Sequence, residues 1–324
     1  MRSRRPRPTR LALTLGDPAG IGPEVVLRAL ADAERPDAFV VLYGPLSSLQ
    51  DRARRFGLKP PEKLGAEVVD VALGGPVALG RTSPAAGRAA ALAVLRAADD
   101  AKAGRVDAIV TAPLNKESLH AAGYAWPGHT EMLAEAAGTR DVAMMFVGGK
   151  LRVALLTIHR ALRSVPDAVT GAEVRRVVRL VRRELPRFGA PGGRIAVCGV
   201  NPHAGEGGLF GTEERDVIGP AVESLRAEGI DVSGPFPADT LFVRASRGEF
   251  DAVVAAYHDQ GLIPVKLLAF GHAVNVTIGL PFVRTSVDHG TGFDIVEKGT
   301  ADGKSLVEAM KLAVTLAAAK RPRG

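Results

Sequence analysis

Short apolar runs alternate with longer stretches of helical periodicity along nearly the whole chain, and this alternation constrains the fold more than any other feature. Candidate strands are Leu11–Leu15, Phe39–Tyr43, Ala108–Thr111, Val142–Phe146, Arg152–Leu156, Arg194–Cys198, Ala252–Ala256 and Ala273–Thr277. Each is long enough for a buried strand and too short for a core helix. Between them, helical patterns run over Glu24–Ala33 behind Pro23, the Ala-rich Pro84–Ala103, Gly171–Leu185, Thr212–Glu228 and Ala301–Ala319. Strands alternating with helices predict an α/β layered fold. No repeat and no linker marks a boundary, so residues 11–324 are expected to form one catalytic unit of two interleaved lobes.

Polar punctuation follows the strands. Asp17-Pro18 comes after the first, Ala112-Pro113-Leu114-Asn115-Lys116 after the third, and His159-Arg160 after Arg152–Leu156; Asn201-Pro202-His203 and His258-Asp259-Gln260-Gly261 repeat the arrangement. Open α/β sheets bind ligands at the carboxyl ends of their strands, so these tips predict a single convergent site.

Composition narrows the classes. The net charge is +7, part of it in residues 1–10, MRSRRPRPTR, which read as a disordered basic tail. A twin-arginine export signal fails, because LALTL runs straight into Gly16-Asp17-Pro18 without an adequate apolar region. No stretch is apolar enough for a membrane span, and no nucleic-acid module accompanies the scattered basic residues. One cysteine, Cys198, excludes an internal disulfide framework and points to a reducing compartment, most simply the cytoplasm. Closing an apolar run, it reads as a small buried hydrophobe.

His159, His203 and His258 each follow an apolar run. Three imidazoles with open positions are what a catalytic divalent metal needs, although three unrelated polar residues at loop starts would look the same. His129 and Thr130 in PGHTE stand at an apparent helix start, where backbone N–H groups favour anions; a plain helix cap is the alternative. Lys266, Asn275 and Arg284 sit in the apolar stretch PVKLLAFGHAVNVTIGLPFVRTS. Buried cations and amides are costly unless partnered, so they would either clamp an anion or pair internally with Asp259 or Asp288. His289 lies in the glycine-rich DHGTGFD turn, whereas His120 and His272 read as structural or solvated. No GxGxxG follows a strand and no Walker A sequence occurs, so neither a Rossmann dinucleotide site nor a P-loop is supported.

Taken together, LTLGDPAGIGPE, TAPLNKE, GHTE, NPHAGEGG with GTEE, PADTLF, YHDQGLIPVK and NVTIGLPFVRTSVDHGT resemble the signature of the 4-hydroxythreonine-4-phosphate dehydrogenase (PdxA) family, from about Leu11 to beyond Ala301. The resemblance implies a two-lobed fold like that of isocitrate and isopropylmalate dehydrogenases, without a Rossmann domain. It implies a homodimer with the active site at the subunit interface. It further implies NAD- or NADP-linked, metal-dependent oxidation of 4-phosphooxy-L-threonine, followed by decarboxylation to 3-amino-2-oxopropyl phosphate in vitamin B6 biosynthesis. By this resemblance His159, His203 and His258 hold the divalent metal (zinc, magnesium or cobalt), and His129, Thr130, Lys266, Asn275 and Arg284 hold substrate. His289, Gly290 and Asp294 would neighbour the cofactor, and Lys116 and Asp239 are candidates for proton transfer. Val296, Glu297 and Thr300 depart from the usual cofactor loop, leaving NAD against NADP open. A paralogue acting on 4-phospho-threonate or erythronate is the nearest alternative, and a phosphate acyltransferase-like enzyme a more distant one.

Overall fold

β1 (Thr9–Thr14) forms because TRLALT carries a β-capable apolar run that is buried along almost its whole length. In the computed structural model, which describes residues 7–320, it is the centre of a parallel sheet. The chain divides into two units, one running through Arg140 and resuming at Leu280, the other spanning Asp141–Gly279.

In the first unit β2 (Ala38–Gly44), β3 (Glu67–Asp70) and β4 (Ala108–Thr111) join β1 in the order β3-β2-β1-β4. β11 (Val283–Ser286) completes this set beside β4, and every pairing is parallel. The direction of winding reverses between β1 and β4, which makes their carboxyl ends a topological switch point. Gly16 and Asp17 occupy it, with Asp17 N donating to Pro113 O at 2.9 Å. Gly16 has φ 67°, and a Cβ there would stand 2.1 Å from Pro113 O, so the two strand exits approach closely only because residue 16 has no side chain. The helices Pro84–Lys102 and Lys304–Lys320 pack on this sheet.

In the second unit β5 (Ala143–Gly148), β6 (Leu151–Leu155), β7 (Ile195–Cys198), β8 (Val232–Phe236), β9 (Ala252–Ala255) and β10 (Val274–Ile278) take the order β10-β5-β6-β9-β7-β8. β5 runs antiparallel to both neighbours, while β6, β9, β7 and β8 are mutually parallel. The core between this sheet and its helices gathers Phe146, Val153, Leu241, Val253 and Leu262. Cys198 is buried in it, and burial pushes its thiol pKa up.

All eight expected strands are present within one or two residues. β3, β8 and β11 were not expected: β3 is a four-residue edge, β8 contains Gly234 and Pro235, and β11 reads as polar VRTS although every residue in it is buried. The helix expected over Thr212–Glu228 is instead a π-helical turn, Glu214–Ile218, followed by an α-helix, Gly219–Ala227. Pro220 lacks the N–H an uninterrupted helix would use there. The basic tail expected over residues 1–10 falls largely outside the described residues. Of its remainder, Thr9 and Arg10 belong to β1, and Arg7 pairs with Asp107 at 2.8 Å. Among the described residues no helix is long and apolar enough to cross a membrane.

Candidate active site

The first unit offers an anion site beside its switch point. Arg284 in β11 is 2% exposed, and its Nη2 donates to Thr111 Oγ1 in β4 at 2.7 Å. Thr111 Oγ1 also donates to Ser286 Oγ at 2.9 Å, and Ser286 Oγ donates to Thr111 O at 3.0 Å. Burial pulls the guanidinium pKa down to about 9 while Glu131 opposes the shift, so Arg284 keeps its charge at neutral pH. His129 opens the helix His129–Ala137 behind Gly128. Its pKa lies well below the usual 6.5, through burial first and the charge of Arg284 second, which keeps it neutral. Its Nε2 is enclosed without a hydrogen-bond partner, and Thr130 beside it is buried. A buried imidazole lacking a partner, a buried guanidinium and a helix N-terminus together suit an anionic ligand. Lys116 heads the next helix back, Lys116–Ala121, capped by Asn115. Its Cε lies 3.9 Å from where a Cβ on Gly128 would be, so the ammonium-bearing chain runs past the start of the His129 helix.

In the same unit His289 Nδ1 lies 3.0 Å from Gly290 O, and its Nε2 is buried without a partner. Gly290 and Asp294 are exposed. Thr291 O accepts from Ile21 N at 2.9 Å, which joins this turn to the GDPAGIGPE segment. That segment therefore has a structural task, holding the DHGTG turn in place.

The second unit brings the three histidines onto neighbouring strand exits. His159 follows β6, His258 follows β9 and His203 follows β7, and these strands are adjacent in the order β6-β9-β7. Side chains knit the exits together. Thr157 Oγ1 donates to Ala256 O at 2.8 Å; Gln260 accepts from Ala256 N at 2.7 Å and donates to Gly199 O at 2.8 Å. The rings of His159 and His258 stand 5.9 Å apart. Two imidazoles bonded to one cation at about 2 Å place their centroids roughly 5–6 Å apart, so the pair fits a shared divalent metal. His258 Nδ1 is held by Asp259 Oδ1 at 2.7 Å, which leaves Nε2 as the ring nitrogen a metal could use. His203 lies 6.2 Å from the Phe210 ring, and among the described residues no group of three His, Cys, Asp or Glu side chains surrounds one point.

The His203 turn has an unusual backbone. His203, Ala204, Gly205, Glu206 and Gly207 all have positive φ, from 42° to 80°. For residues with a side chain this costs roughly 1–2 kcal/mol each, and only His203, Ala204 and Glu206 bear that cost here. Such strain gathers at functional sites.

Of the remaining expected residues, Lys266 sits in the last turn of the helix His258–Ala269. Asn275 lies in β10 opposite Phe146, with its Oδ1 buried and without a partner. Asp239, in the first turn of the helix Ala238–Ser246, is exposed, and its carboxylate accepts from Thr240 N at 2.9 Å. Sequence reading missed Thr111, Ser286, Gln260 and Glu214. All four lie inside motifs already singled out, TAPLNKE, NVTIGLPFVRTSVDHGT, YHDQG and GTEE, but nothing in a motif says which hydroxyl, carboxylate or amide will be buried.

A family model described as "Pyridoxal phosphate biosynthetic protein PdxA" matches residues 30–313. A 4-hydroxythreonine-4-phosphate dehydrogenase from Chromobacterium violaceum is 48% identical, covering 96% of this chain and 98% of that protein. A D-threonate 4-phosphate dehydrogenase from Salmonella typhimurium is 46% identical, covering 95% and 98%. The crystal structure of a 4-hydroxythreonine-4-phosphate dehydrogenase from Klebsiella pneumoniae superposes with a TM-score of 0.85 at 42% identity, covering 95% of this chain and 99% of that one.

Proposed function

The chain belongs to the PdxA family of pyridoxal phosphate biosynthetic proteins, and from that premise we propose that it oxidises 4-phosphooxy-L-threonine with a nicotinamide cofactor and a divalent metal. The C3 hydroxyl carbon loses hydride to the nicotinamide, the hydroxyl loses its proton, and the β-keto acid then releases CO2 to leave 3-amino-2-oxopropyl phosphate. The observation that carries this reading is the placement of His159, His258 and His203 on three adjacent parallel strand exits, with two of the rings 5.9 Å apart.

His159, His203 and His258 would hold the metal, in a site completed by two copies of the chain; His ligands suit zinc, cobalt or magnesium in differing degree. When bound, the metal supplies a Lewis acid at the reacting oxygen and the nicotinamide a hydride acceptor. Asp259 fixes the tautomer and direction of His258. Arg284, His129 and Thr130 receive an anionic end of the substrate. Because His129 is neutral it donates one hydrogen bond without competing for the charge that Arg284 supplies. Lys266 and Asn275 hold a second polar end; the buried, unsatisfied Asn275 Oδ1 suits a donor such as the substrate amine. Lys116, beside the His129 helix, is the better placed of the two proton-transfer candidates, since Asp239 is engaged with its own helix. His289, Gly290 and Asp294 are assigned to the cofactor. The single buried Cys198 accords with a cytoplasmic enzyme.

The second copy would cover the helix His258–Ala269. Ile263, Leu267 and Phe270 are 65%, 82% and 84% exposed and recur at the spacing of one helical face. Apolar side chains exposed in such a row mark an interface.

D-threonate 4-phosphate is the second reading, favoured by relatives of that name at 46% and 47% identity. It carries a hydroxyl where 4-phosphooxy-L-threonine carries an amine, and the same metal and anion groups would serve it. Acyl transfer is disfavoured, since the relatives at this level of identity are named dehydrogenases. Parallel assays of NADH formation on the two phosphorylated acids separate the readings: the higher kcat/KM identifies the substrate.

A further inference from the structure

We propose that Glu214 is a positioning residue that holds the His203 turn in its left-handed form, an inference that rests on reading His203 as a metal ligand. The turn Pro202–Gly208 contains six consecutive residues of positive φ, three of them with side chains that resist that conformation. Left to itself such a segment relaxes, and the imidazole would swing with its backbone. Something must over-determine the turn.

Glu214 is in position to do so. It is 4% exposed and opens the π-helical turn that follows. Its Oε1 accepts from Val200 N at 2.6 Å and from Asn201 N at 2.7 Å, and its Oε2 accepts from Asn201 Nδ2 at 2.9 Å. These are the residues through which the chain leaves β7 and enters the turn. The carboxylate also presses on the turn itself. A Cβ on Gly205 would lie 2.7 Å from Glu214 Oε2, and one on Gly199 would lie 2.9 Å from Oε1. The two oxygens are thus wedged between Gly199, at the exit of β7, and Gly205, in the middle of the turn. Charge-assisted bonds to two successive backbone N–H groups are strong enough to fix a loop. Asn201 is shared with Glu213 Oε2 at 2.7 Å, which orients its amide. A glutamine at 214 could accept through one oxygen only, and would turn its own N–H groups toward the Asn201 amide.

The test is zinc titration of the full chain, freed of metal, by calorimetry, with hydrogen exchange of the 200–208 amides on the same samples. Glu214→Ala is expected to weaken zinc binding about 10–100-fold, the range for residues that orient ligands, and Glu214→Gln by less. Exchange at Val200 and Asn201 should rise at least about tenfold, since both amides lose their acceptor. Adding Ala204→Gly and Glu206→Gly to Glu214→Ala should recover part of the zinc affinity, because glycine adopts positive φ without cost. A role confined to general stability would lower the melting temperature without this recovery. Zinc affinity unchanged in both Glu214 variants, where His203→Ala does weaken it, overturns the proposal. If His203→Ala leaves zinc binding unchanged, the metal-ligand reading fails, and exchange alone judges Glu214: unchanged protection at Val200 and Asn201 overturns its role and faster exchange supports it. Should Glu214→Ala not fold, Glu214→Gln carries both measurements.

Discussion

Arg284 reaches Thr111 on the paired strand, two residues off its own register partner, and the 2.7 Å bond from Nη2 to Oγ1 aims a buried cation from inside a sheet. The hydroxyl is itself fixed by Ser286, so the guanidinium is oriented before any ligand arrives. Thr111→Val removes the acceptor of this buried charge-assisted bond, at a cost of about 1–3 kcal/mol. The expected result is a lower melting temperature and a KM for phosphorylated substrate raised about tenfold, with kcat changed less. Thr111→Ser keeps the hydroxyl and should restore KM. A wild-type KM in Thr111→Val would show that this bond does not orient Arg284 for substrate.

Arg284 itself is expected to matter more. Replacement by Lys retains a charge but loses the planar fork that bonds Thr111 and a ligand together. A charge-assisted bond is worth about 1.5–3 kcal/mol, so KM for the phosphorylated acid should rise about 10–100-fold in Arg284→Lys. Steady-state kinetics checks this, and an unaltered KM removes Arg284 from the anion site.

The neutrality of His129 makes stability depend on pH. The folded protein holds this imidazole well below 6.5, whereas the unfolded chain takes up a proton near 6.5. Unfolding therefore binds a proton in the window below about pH 6.5, and stability falls as pH drops through it toward the folded pKa. His129→Asn has no such proton to take up. Its melting temperature should fall less than that of the wild type between about pH 7.5 and about pH 5.5. Equal falls would show that His129 titrates alike in both states.

The exposed apolar row on the helix His258–Ala269 predicts the oligomeric state. Leu267→Glu with Phe270→Glu places charge where a second copy would bury hydrocarbon. Light scattering should report a dimer for the wild type and a monomer for the double variant, with activity lost in parallel. A wild-type monomer, or a dimer that survives both substitutions, would place the interface elsewhere.

The alternation of apolar runs and helical patterns made the α/β class and eight strands legible, because strands buried on both faces are written as unbroken hydrophobic runs. β11 was not legible, since its Arg284 and Ser286 bond to Thr111 across the sheet while Thr285 donates to Ala309 O, and no periodicity records a partner 175 residues away. β8 escaped because glycine and proline tolerate an edge strand that composition argues against. The histidines could be singled out by their position after apolar runs. That β6, β9 and β7 are neighbours depends on crossovers that the sequence does not spell out. The helical pattern at Thr212–Glu228 concealed a π turn and the buried Glu214, where the sequence looked locally most ordinary.

The most direct test of the central claim is NADH formation from 4-phosphooxy-L-threonine by the purified chain, with and without chelator, beside D-threonate 4-phosphate. The account predicts turnover that chelation abolishes, that added divalent metal restores, that His203→Ala reduces by orders of magnitude, and that is faster on the amino acid. Full turnover in chelator, or in metal-stripped His203→Ala, would contradict it.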